Sequence, residues 1–103
     1  MLRVVTNVEG RAEMRSALDE IVLEGARRML AAALEAEVDA YVTELADQRD
    51  ERGRRLVVGN GHAAPRTITT AAGQVEVSAP RVNDKRVGES GERCRFRSSI
   101  LPP

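Results

Sequence analysis

The chain has 103 residues, room for one small domain or a piece of a larger one. Hydrophobic residues make up 42%, yet the only aromatics are Tyr41 and Phe96, so any core rests on Leu, Val, Ile, Met and Ala. The formal net charge of zero hides an asymmetry: residues 1–48 carry five bases against ten acids, and residues 49–103 carry eleven against six. A basic second half points to a nucleic-acid-facing part joined to a part with another task. A lone cysteine, Cys94, cannot close an internal disulfide, and no signal-like or membrane-length apolar run occurs. The expectation is a cytoplasmic protein with no membrane role.

The first residues, "MLRVVTNVEG", read as a leader over residues 1–13, a single strand or loose chain without an assigned role. Residues 14–45 turn to strong helix formers without proline. Leu18, Ile21, Val22, Gly25 and Met29 follow steps of three and four, as do Leu34, Val38, Tyr41 and Leu45. The step of five between Met29 and Leu34 shifts the stripe, with Leu30 and Ala33 filling the gap. One long amphipathic helix is expected, or two bent near Gly25, with Asp19, Glu20, Glu24, Glu35 and Asp39 mostly on the outer face. Ser16, followed by Asp19 and Glu20, reads as its N-terminal cap. Such a helix needs a companion, either a second copy or more of a longer chain.

Residues 49–65 form a charge-dense, basic connector ending in Gly59, Asn60, Gly61 and Pro65. Next, "RTITT" and "QVEVSAP" alternate with the two-residue period of strands around a tight "AAG" turn, which predicts a β-hairpin over residues 66–79. From Pro80 the tail is basic and is expected to be irregular, reading as interrupted at "ILPP". The fold class is therefore α+β: a long helix, a basic loop, a hairpin and an irregular tail, together a fragment of a larger fold.

Chemistry-bearing residues are few. His62 and Cys94 stand 32 positions apart with no further Cys or His, too few ligands for a zinc site. The pairs Asp19 with Glu20 and Glu35 with Asp39 read as ordinary solvent-facing charge, and no glycine-rich phosphate loop occurs. No catalytic residue and no metal ligand is assigned. For nucleic-acid binding, Arg54, Arg55, Arg66, Arg81, Lys85 and Arg86 flank the Gly-Asn-Gly-His loop and the hairpin and offer phosphate neutralisation. Asn60 and His62 add hydrogen-bonding groups for sugar, phosphate or a base edge. A solvated connector, or one paired with the acidic helix, explains the same arginines equally well.

The order "LDEIVLEGARRMLAAALEAEVDAYV", "GRRLVVGNGHAAPRTITTAAGQVEVSAPRVND", "GERCRFRSSILPP", from about Leu18 to Pro103, resembles the N-terminal portion of bacterial Mutator-type insertion-sequence transposases. The resemblance implies a DDE-class enzyme of DNA transposition. Its two Asp and one Glu lie in a following RNase H-like domain and hold divalent metal ions, with Mg2+ expected. It also implies that the present segment recognises terminal inverted repeats in DNA and assembles, with self-association through the long helix, and that its hairpin packs on the absent catalytic domain. None of the catalytic positions falls within this chain, so it is expected to be inactive alone. The family tends to carry arginine where this chain has Gly59, and "CRFRSS" departs from its usual wording. Two alternatives stay open: a non-catalytic regulator of an intact transposase, and an inactive degenerate remnant.

Overall fold

A computed structural model describes residues 7–103. Its elements are α1 (Asn7–Glu44), β1 (Val57–His62), β2 (Arg66–Thr70), β3 (Gly73–Val77) and β4 (Pro80–Asp84), an α+β arrangement. The part of the expected leader covering residues 1–6 lies outside the described residues, and residues 7–13 form the first turns of α1. Ser16 is consequently an exposed mid-helix residue and not a cap, and α1 runs through Gly25 as one element.

The five-residue step between Met29 and Leu34 marks a change of face. At about 100° per residue, Met14, Leu18, Ile21, Val22, Gly25 and Met29 lie within about 50° of a common line along α1. Leu23, Leu30, Leu34 and Tyr41 lie on another, roughly 140° round the helix. Among the described residues only the second line is covered: Leu34 is 2% exposed and packs with Ile68, Val75 and Val77, while Leu23, Ala26, Leu30, Ala79 and Leu101 close around them. On the first line Met29 remains 70% exposed and Ile21 67%. The chain's own strands are thus the companion for one face of α1, and the hairpin expected to pack on another domain packs here on the helix.

The hairpin joins β2 to β3 with Ile68 opposite Val75 and Arg66 opposite Val77. Alternation turns Ile68, Val75 and Val77 inward and leaves Thr67, Gln74 and Glu76 exposed. Gly73, at φ +124°, closes the turn where α1 comes near: a Cβ there would stand 2.9 Å from Leu23 Cδ2. Both the backbone region and the space favour glycine. Gly73→Ala is expected to lower stability by about 1–3 kcal/mol, read as a shift of the urea midpoint without a change in slope.

The connector and the tail, expected as loop and irregular chain, each contain a strand. β1 pairs with β4 antiparallel, Val57 opposite Asp84 and Gly59 opposite Val82, and brackets the hairpin. The register slips between Gly59 and His62, where Gly61 has φ +65°, the backbone of a glycine bulge. Asn60 and Gly61, which in sequence read as punctuation, are the two residues that stand opposite the single Arg81 inside a ladder. The connector before β1 is ordered too: the backbone N–H groups of Arg52 and Arg54 both donate to Asp50 Oδ1 at 2.9 Å, and Leu56 N–H donates to Gln48 O at 2.9 Å. Farther on, Ser99 N–H and Oγ donate to Glu37 Oε2, both at 2.7 Å, and tie the tail back to the helix. Burial pulls the Glu37 carboxyl up, and the bonds from Ser98 and Ser99 outweigh it, leaving its pKa below the ordinary value.

Candidate nucleic-acid interface

Strand β4 has two sides with different chemistry. Val82 and Asp84 look toward the interior, whereas Arg81 and, just beyond the strand, Lys85 stand exposed. The inward side is fixed by charge. Asp84 is 5% exposed and accepts from Arg86 Nε at 3.0 Å, Arg86 Nη2 at 2.9 Å and the Tyr41 hydroxyl at 2.6 Å. Arg86 Nη2 also donates to the Tyr41 oxygen at 2.9 Å, and the Phe96 ring meets that of Tyr41 edge-on at 4.9 Å. The Arg86 guanidinium holds Asp84 down at about 2 against the opposing effect of burial, and the Tyr41 hydroxyl bond lowers it further. Burial, with the Asp84 carboxylate behind it, pushes the Tyr41 hydroxyl above its ordinary value.

The outward side is basic. Residues 86–94 double back, with Val87 bridged to Arg93 and Cys94 N–H donating to Arg86 O at 3.0 Å. This loop brings the segment Arg93-Cys94-Arg95-Phe96-Arg97 alongside β4. There the side chains alternate, the arginines exposed and Cys94 and Phe96 half-buried. Between loop and strand lies an open cleft of about 380 Å³ lined by Arg81, Asn83, Arg93 and Arg95 among others. Arg93 Nη2 is positioned by Asp84 O at 3.0 Å. Arg81, Lys85 and Arg95 make no ion pair among the described residues. An open groove rimmed by unneutralised guanidinium groups suits an extended polyanion.

The residues singled out from sequence are distributed unevenly around this cleft. Arg81 lines it, and Lys85 stands exposed just beyond the end of the same strand. Arg86, by contrast, is committed to Asp84 and Tyr41, so its role is to hold β4 on the helix. Arg66 donates to Pro102 O at 3.0 Å, on the hairpin. Arg54 and Arg55 are exposed in the connector turn, where Arg55 bridges Arg49. Asn60 is exposed on the bulge, and His62 Nε2 lies 2.6 Å from Glu35 Oε1, facing the helix. Missed altogether were Arg93 and Arg95, although the strict alternation of "RCRFR" carries the signal of an extended segment with one charged side.

The acids take structural parts. Glu24 receives Arg27 and Arg28, in that order of influence, and is lowered to about 2. Among the described residues no three His, Cys, Asp or Glu side chains gather as a metal-holding group. Nor, among the described residues, is any helix long and apolar enough to cross a membrane. No family model, no curated protein and no solved structure matches the chain.

Proposed function

We propose that this chain is the N-terminal part of a Mutator-type insertion-sequence transposase, acting in the cytoplasm on the terminal inverted repeats of its element. In this reading it supplies DNA binding and assembly and leaves phosphodiester chemistry to residues outside it. The observation that carries the DNA half is the cleft in which Arg81, Arg93 and Arg95 converge beside Lys85. Guanidinium groups placed this way neutralise successive phosphates and release counterions, which produces affinity without sequence preference. Discrimination between sequences then falls to neutral donors and acceptors, Asn83 in the cleft and the exposed Asn60 on the β1 bulge. The assembly half rests on α1, whose uncovered apolar line runs from Met14 to Met29.

Fluorescence anisotropy tests the reading with two duplexes, the repeats that flank the chain's own coding DNA and a shuffled control of the same length. Tighter binding to the repeats, weakened by salt, is expected. Equal and salt-insensitive affinities for the two would contradict it.

A further inference from the structure

We infer that Glu37 is a positioning residue for the basic cleft: from α1 it holds the far end of the wall formed by residues 93–97 and so fixes where Arg95 stands. The inference deepens the DNA half of the function proposed above and rests on it. The near end of that wall is held by backbone, through the bridge of Val87 to Arg93 and the bond from Cys94 N–H to Arg86 O, and Arg93 is fixed again by Asp84 O. Past Cys94, among the described residues, no backbone–backbone hydrogen bond ties the chain down. Its course there depends on side chains: Phe96 meets Tyr41, Leu101 joins the apolar cluster, and Arg66 reaches Pro102 O from the hairpin.

Between Phe96 and Leu101 the anchor is Glu37. Its Oε1 accepts from Ser98 Oγ at 2.5 Å, and its Oε2 accepts from Ser99 N–H and Ser99 Oγ, both at 2.7 Å. Ser98 Oγ in turn accepts from the N–H groups of Ile100 and Leu101, each at 3.1 Å, and turns the chain toward the cluster. The half-buried Glu37 carboxylate makes no ion pair among the described residues, so its bonds are those to the tail. Bonds to an ionised acceptor are the stronger kind, which suits a single side chain that must hold an otherwise unpaired segment. Held at Cys94 and again at Ser98, the residues between cannot swing away from β4, and of these Arg95 and Phe96 line the cleft. Without the second hold Arg95 spreads over many positions, and binding a phosphate then carries the cost of ordering it.

Two readouts on the full chain test this. Cys94, the chain's only cysteine, belongs to the same wall, so its rate of reaction with a maleimide reports how firmly the wall is held. Glu37→Ala is expected to raise that rate about fivefold or more by local opening. It should also lower the salt slope of duplex binding by up to about 0.9, one phosphate contact, as Arg95→Ala does. Because both changes remove the same contact, the double variant should lose no more slope than Arg95→Ala alone. Glu37→Gln, which keeps an acceptor oxygen for Ser99, should recover most of the slope. Ser99→Ala, an exposed change that leaves the fold intact, should raise the Cys94 rate by a smaller factor than Glu37→Ala. Slope losses that add in the double variant, or a Cys94 rate unchanged in both Glu37→Ala and Ser99→Ala, would overturn the inference. Duplex binding whose slope ignores Glu37→Ala overturns the positioning role and leaves the DNA reading standing. A wild type that binds no duplex while Cys94 responds as expected removes the DNA reading and upholds Glu37 as the anchor of the wall.

Discussion

Asp84→Ala is expected to be among the most damaging single substitutions, lowering stability by about 3 kcal/mol. The carboxylate is nearly fully buried, with three hydrogen bonds from Arg86 and one from Tyr41 converging on it. Removing it leaves a half-buried guanidinium without a counter-charge and a phenol without its acceptor, so the loss is the desolvation of the survivors and not the net value of the pair. A small domain has about 5 kcal/mol to lose, roughly 0.05 per residue, and most of the margin would be gone. The same group sets the acid limb of the stability curve. Its pKa falls from an ordinary 3.8 to about 2 on folding, so its stabilisation is present above pH 4 or so and is lost as pH falls toward about 2. That shift is equivalent to about 2 kcal/mol. Glu37, also lowered, acts with the same sign. Urea midpoints at about pH 7 and about pH 2 should therefore differ more for the wild type than for Asp84→Asn, which keeps the shape and removes the titration.

Leu34→Ala is expected to lower stability by about 3 kcal/mol, within the roughly 2–5 kcal/mol seen for buried leucines. Leu34 is where the helix meets the inward faces of both hairpin strands, in one cluster with Ile68, Val75 and Val77. Met29→Ala in dilute protein should change the midpoint by no more than about 0.5 kcal/mol, because an exposed side chain has little burial to lose. The contrast, read by urea unfolding, separates the two faces of α1. Similar losses for both substitutions would mean that the Met29 line is covered within a single chain.

The helix and the hairpin were legible in the sequence because their signals are local. Steps of three and four and the alternation of "RTITT" and "QVEV" need no knowledge of a distant partner. The β1–β4 ladder was not, because Gly59, Asn60 and Gly61 interrupt the apolar alternation of β1 and its partner lies beyond the whole hairpin. The two apolar lines on α1 merged into one for a related reason. A single residue pattern does not say how many neighbours a helix has, and the five-residue step before Leu34 acquires meaning only once the strands are seen to cover one line. The fate of Arg86 was equally hidden: in sequence it is one basic residue among many, and its partner Tyr41 stands 45 positions away. Arg93 and Arg95 were legible in principle, through alternation with Cys94 and Phe96, but the segment lacks the β-branched residues that usually betray extended chain.

The most direct test of the proposed DNA interface is the salt dependence of duplex binding by the wild type and by the triple variant Arg81→Ala, Arg93→Ala, Arg95→Ala. Each phosphate neutralised contributes about 0.9 to the slope of log K against log salt, so the triple variant should lose up to about 2.7 from that slope. Arg54→Ala with Arg55→Ala, in the connector turn away from the cleft, should lose less. Equal slopes for the wild type and the triple variant, or a wild type that does not bind duplex at low salt, would contradict the account.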